Sequence, residues 1–172
     1  RIHSMRACFA GLACLVIFFR LLPLETVTRT WAPPDLLIAL AMAWSLRRPD
    51  YVPAILLALV FLAADLLFHR PPGLLALLAV LGCEFLQSRT HPQYETTFAA
   101  EWLSVALTIT AITMVNRFTL SMFAVEQAPL SLSMIEMLAT ILAYPLVALF
   151  SQSVLGVRKL SPAEAEALGA RG

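Results

Sequence analysis

The stretch WAPPDLLIALAMAWSLRRPDYVPAILLALVFLAADLLFHRPPG, Trp31 to Gly73, decides how the chain is read. It holds two apolar runs. The first follows Pro33-Pro34-Asp35 and ends near Trp44, and the second extends from Val52 to Asp65. Arg47-Arg48-Pro49-Asp50 separates them, and His69-Arg70-Pro71-Pro72-Gly73 closes the second. Pro34 suits the first turn of a helix, where its missing N–H costs nothing, and Pro49 breaks the run between the two. Two apolar rods joined by a tight basic turn read as a helical hairpin inside a membrane.

The rest of the chain repeats this pattern. Of 172 residues, 60% are hydrophobic and 13% charged. A soluble domain has about 45–50% apolar and about 25% charged residues. The apolar residues fall in long blocks between short polar breaks, as expected of several membrane spans. The predicted fold is an all-α integral membrane protein, a six-helix bundle in a single transmembrane domain over residues 1–172. Its spans cover about 5–24, 34–46, 52–68, 73–87, 98–123 and 130–155, with a polar tail 156–172. No small-x-small cleavage site precedes Glu25, so the first run reads as a retained span. The second span has about 13 residues and rises only about 20 Å, short of the roughly 30 Å hydrocarbon core. It starts inside the interface, or the bilayer thins there, or neighbouring protein covers its end. Trp31 stands where an interfacial anchor would. The sixth span is expected to kink near Pro145. Ser161 and Glu164 form a capping box for a short tail helix.

Six spans put both termini on one side. That side carries Arg1, Arg6, Arg47, Arg48, Arg89, Arg158, Lys159 and Arg171, whereas the other holds Arg29, Arg70 and Arg117. The positive-inside rule makes the first side cytoplasmic. Arg47-Arg48 and Arg158-Lys159 then read as anchors at the cytoplasmic membrane edge, in contact with anionic lipid.

Charges at membrane depth are costly and face partners or cavities. The candidates here are Arg20, Asp35, Asp65, Glu84, Glu101, Arg117 and Glu136. At 1.5 Å per residue, Arg20, Asp35 and Asp65 fall within the outer ~6 Å of their spans. Arg20 is therefore placed to bridge Asp35 or Asp65. Arg117 and Glu136 fall in the outer third of the last two spans, and Glu84 and Glu101 near the inner ends of theirs, close to Arg89. Three roles are open to these groups: pairing helices, lining a cavity, or contacting another membrane protein. Small residues spaced by four, such as Ala7/Gly11 and Ala54/Ala58, permit close helix approach.

Chemistry-bearing motifs are not found in the sequence. There is no GxxxxGK[ST], HExxH or GxSxG. His3, His69 and His91 are far apart, and Cys8, Cys14 and Cys83 form no CxxC pair. No catalytic residue, metal site or cofactor is expected. The basic residues are dispersed, which gives nucleic-acid binding no support.

Pro34-Asp35-Leu36, Trp44, Arg47-Arg48-Pro49, Asp65 and Gly73-Leu74 resemble the rod shape-determining protein MreD family of bacteria. That family starts its second helix with Pro, a polar and an aliphatic residue, and turns on a short basic Pro-containing segment. It ends its third helix in Asp before a Gly-Leu helix start. The resemblance covers Leu24 to Arg89. The chain departs from it at Leu62-Ala63-Ala64 and Phe68-His69, where the family often has Gly beside the Asp. The resemblance implies a fold similar to the substrate-binding components of energy-coupling-factor transporters. It also implies a non-enzymatic subunit of the cell-elongation machinery in the bacterial inner membrane. The implied partners are MreC, the glycosyltransferase RodA with its class B penicillin-binding protein, the actin-like MreB and membrane lipids. Two rival readings stand beside it. One is a small-molecule-binding component of an uptake transporter, with Arg20, Asp35, Asp65 and Glu136 lining its pocket. The other is a membrane enzyme using Asp65 or Glu84 as general base.

Overall fold

The computed structural model describes residues 2–22, 34–69, 71–89, 97–127, 129–156 and 162–169. Among them the chain is all-helical: α1 (Ile2–Leu21), α2 (Leu36–Arg47), a 3-10 turn (Pro49–Tyr51), α3 (Ala54–Leu67), α4 (Leu74–Arg89), α5 (Phe98–Met122), α6 (Leu130–Leu155) and α7 (Pro162–Gly169). Three segments are long and apolar enough to cross a membrane: Ile2–Leu21, Phe98–Met122 and Leu130–Ser153. By length and composition this is a membrane protein. Trp31, Arg29, Arg70, His91, Arg158, Lys159 and Ser161, on which parts of the sequence reading rest, lie outside the described residues.

α2 is the hub. Every residue from Leu37 to Ser45 is buried, and so is Arg47. It packs on α1, α4 and α6, while α3 packs on α4, α4 on α5 and α5 on α6. The surrounding helices turn their large apolar side chains outward. Phe18 and Phe19 on α1, Ile55 and Leu59 on α3, Leu103 and Phe118 on α5, and Leu142 and Leu146 on α6 are all exposed. Apolar exteriors around a polar-jointed interior suit a lipid solvent.

The inward face of α6 shows how the packing is written. Its buried residues are Thr140, Tyr144, Ala148 and Ser151. They recur every three or four positions, one face of a helix, and they are small or polar. Small side chains let α2 come close, and the hydroxyls reach across to it. α6 continues through Pro145. Proline has no N–H, so the carbonyl of Ile141, four residues back, loses its helical donor. The indole N–H of Trp102 on α5 donates to that carbonyl at 2.8 Å. The helix defect thus becomes a cross-helix joint.

α3 and α4 form a hairpin closed by Asp65. Its carboxylate accepts from the backbone N–H of Gly73 and of Ala76, both at 3.3 Å. Gly73 has φ of 94°, a left-handed conformation that glycine adopts freely. At Gly82, α4 meets α5 so closely that an added Cβ would lie 2.8 Å from Ile112 and 3.0 Å from Thr108.

Candidate functional site

The unequal lengths of the helices create the site. α2 has 12 residues, about 18 Å, whereas α5 and α6 have 25 and 26, about 38 Å. The shortfall all lies at one end. At its C-terminus, α2 is level with the start of α5 and the end of α6, because Arg47 lies 3.6 Å from Glu101 and donates to Gln152 at 3.1 Å. At its N-terminus, the N–H of Asp35 donates to the hydroxyl of Thr140 at 2.8 Å. Thr140 is ten residues, or about 15 Å, along α6 from Leu130. Asp35 therefore begins α2 about 15 Å along α6 from the start of that helix.

The Arg47 end is closed, and its polar side chains bridge α2 to α5 and α6. Tyr144 donates its phenol to Glu101 at 2.8 Å, so the carboxylate joins α2 to both α5 and α6. The indole of Trp44 donates to Ser151 at 3.0 Å, and its ring sits 5.5 Å from Phe9 and 6.2 Å from Tyr51. The adjoining turn is knitted to α1, since Arg6 donates to the Asp50 carbonyl at 3.1 Å. Arg48 pairs with Asp50 at 3.2 Å and lies over the Tyr51 ring. Partial burial acts to lower the pKa of Arg48, and the hydrogen bond and charge of Asp50 outweigh it. The guanidinium is held above its ordinary value.

The Asp35 end opens into a cavity of about 1070 Å³. Asp35 caps α2 by accepting from the N–H of Ile38 at 3.4 Å, and Arg20 lies 3.5 Å from the same carboxylate oxygen. The Arg20 guanidinium also lies over the Phe68 ring. These two charged residues line the cavity with Arg117, Glu136 and Glu126. Arg117 donates to Ser133 at 2.6 Å, and Gln127 donates to the Arg117 carbonyl at 3.3 Å and to Ser121 at 2.8 Å. Between these groups the walls are apolar, with Ile38, Ile109, Ile112 and Met137 among them.

The seven charged candidates thus separate into distinct settings. Arg20, Asp35, Arg117 and Glu136 come together around the cavity. Asp65 is fully buried and caps α4, and Arg20 takes Asp35 of its two possible partners. Glu101 differs from expectation. It joins Arg47 rather than Arg89, whose guanidinium lies over Phe85. Arg47 differs too, since it is only 6% exposed and reaches inward. Its guanidinium meets Glu101 and Gln152 instead of lying open at the surface. Glu84 is exposed on α4 and forms no ion pair among the described residues.

Sequence reasoning passed over Thr140, Tyr144, Ser151 and Gln152, the α6 side of these joints. Their spacing was the available signal: 140, 144, 148 and 151 form one polar or small stripe in an otherwise apolar helix. Among the described residues, no group of three His, Cys, Asp or Glu side chains is arranged to hold a metal ion. Neither family models, nor curated proteins, nor solved structures give a match to the chain.

Proposed function

We propose that the chain is a non-catalytic scaffold subunit of the bacterial cell-elongation complex, an MreD-like protein. In this reading it spans the inner membrane six times with both termini cytoplasmic, and its fold is like that of energy-coupling-factor substrate-binding components. It binds MreC and links it to RodA and the class B penicillin-binding protein, with MreB on the cytoplasmic face. One observation carries the reading: the residues of the MreD-like pattern are the joints of this fold. Asp35 caps α2 and meets Arg20, Trp44 meets Ser151, Arg47 meets Glu101, and Asp65 caps α4 at Gly73. A pattern used to lock helices together, with ionisable groups committed to that task, supports a scaffold better than an enzyme. The exposed apolar faces of α1, α3 and α5 offer area for the single helix of MreC, and the Asp35 end lies nearest its periplasmic part. The test is to extract the tagged chain in mild detergent and identify what accompanies it. Co-purification of MreC with the synthase pair is expected. Recovery of an ATPase module without them would remove the reading.

The cavity favours a second reading, a small-molecule-binding component of an uptake transporter. At about 1070 Å³ it lies at the upper end of small-molecule sites, which run from about 300 to 1,000 Å³. Its lining, mostly apolar with a few convergent charges, is that of such sites. A water-soluble ligand that raises the unfolding temperature of the purified chain would favour this reading.

A further inference from the structure

Among the described residues, one wall of the cavity is not closed by helix packing. α1 packs on α2, α3 and the 3-10 turn, but among the described residues no comparable packing joins it to α5 or α6. Lower down, α2 fills the space between α1 and α6. Above Asp35 there is no α2, and Leu15, Val16, Phe19 and Arg20 of α1 face the cavity from one side while Glu136 and Met137 of α6 face it from another. Beside this unclosed wall, Leu15, Phe18 and Phe19 are also half exposed outward. A mostly apolar cavity with a few convergent charges and an apolar lateral approach suits entry from within the membrane plane.

The charges are of both signs. With His69 counted neutral, the lining among the described residues carries two cations, Arg20 and Arg117, and three carboxylates, Asp35, Glu126 and Glu136. An occupant bearing only negative charge would be repelled by the carboxylates. One with a phosphate and a hydrogen-bonding ammonium matches both sets. Arg20 and Glu136 also lie at different depths, while the Arg117 guanidinium, which donates to Ser133, lies nearer the start of α6 than either. Arg20 is level with Asp35 and hence with Thr140, whereas Glu136 is four residues, or about 6 Å, nearer the start of α6. In a phospholipid whose tails run toward the membrane centre, the phosphate lies deeper than the headgroup amine. That is the order in which Arg20 and Glu136 are stacked. Arg20 meets Asp35 through one nitrogen of a guanidinium that has five N–H donors, which leaves an edge for a phosphate oxygen.

We propose that this cavity holds the headgroup of a membrane phospholipid carrying a phosphate and a primary ammonium, the phosphoethanolamine type, which enters sideways between α1 and α6. Arg20 takes the phosphate, and Glu136 with Glu126 takes the ammonium. The acyl chains stay outside, along Leu15, Phe18 and Phe19. The proposal goes beyond the scaffold reading and stands whether or not MreC binds this chain.

The test uses the full chain, delipidated in detergent and titrated with phosphatidylethanolamine, phosphatidylcholine or phosphatidylglycerol of identical acyl chains. Bound lipids are counted by native mass spectrometry, and thermal unfolding is followed in parallel. One phosphatidylethanolamine is expected to be retained at a concentration about tenfold below that of the other two, the scale of one charge-assisted hydrogen bond. Glu136→Gln is expected to erase that preference while the protein still elutes as a folded, monodisperse species. If Glu136→Gln does not fold, Glu126→Gln at the exposed rim is expected to weaken the preference. Equal retention of all three lipids, or an unchanged preference in the folded variant, overturns the proposal. Free phosphoethanolamine without acyl chains is expected to leave the unfolding temperature unchanged. Stabilisation by it equal to that by the lipid overturns lateral entry in favour of a soluble ligand. A partner peptide crosslinked at the cavity in place of lipid overturns the proposal as well.

Discussion

The two ends of α2 are built from the same materials and do opposite things. Each carries a charged residue that reaches an oppositely charged group on another helix. At the Arg47 end, the side chains of Arg47 and Glu101 are 6% and 3% exposed and are joined by Tyr144 and Gln152. At the Asp35 end, Arg20 is 23% exposed and meets Asp35 at the edge of a cavity. The difference comes from helix length. α2 is flush with its neighbours at one end and stops short at the other. An ion pair in a closed joint serves the fold, whereas one beside open space remains available to an occupant.

The comparison can be broken by substitution. Arg47→Ala strands the buried Glu101 carboxylate and is expected to destabilise the fold by about 3–5 kcal/mol, seen as loss of monodisperse protein and a lower unfolding temperature. Arg47→Met with Glu101→Leu, which removes both charges, is expected to recover most of that loss. Asp65→Ala removes the cap of α4 and is expected to cost about 1–2 kcal/mol, measured by the same unfolding. Trp44→Phe keeps the ring and loses the bond to Ser151, for about 1 kcal/mol. Arg20→Gln at the open end is expected to cost least, about 1 kcal/mol, because Arg20 is 23% exposed and the glutamine amide can still donate to Asp35. If Arg20→Gln were as damaging as Arg47→Ala, the two ends would not differ in the way argued here. Exchanging the charges, Arg20→Asp with Asp35→Arg, sharpens the comparison: it is expected to be tolerated far better than the same exchange of Arg47 and Glu101.

Much of the helix layout was legible before the structure. Apolar runs and their Pro and Arg breaks marked helices close to where α1 to α6 lie, because both signals are local. The charged candidates were legible as residues but not as partners. Arg20 with Asp35 or Asp65 followed from similar estimated depth, and the structure pairs it with Asp35. Arg47 with Glu101 did not, because the basic pair Arg47-Arg48 suggested a surface turn, and only burial of the short α2 carries Arg47 inward. The cap of α4 by Asp65 depends on the conformation of the turn at Gly73, which composition does not encode. The cavity was least legible. It is a difference between the lengths of α2 and of α5 and α6, so no single segment announces it.

The shortness of α2 also bears on how the chain is made. At 12 residues with a charge at each end, it is a poor substrate for insertion by itself. Its polar partners are synthesised later: Glu101 on α5, then Thr140, Ser151 and Gln152 on α6, these last three each more than a hundred residues downstream of the group they bind. During synthesis the hub of the bundle waits for its rim. α6, which follows α5 from the ribosome, is the clasp that fastens α2, and a nascent chain stopped before it would hold α2 by packing, Arg20 and Glu101 without the hydroxyls of Thr140 and Ser151.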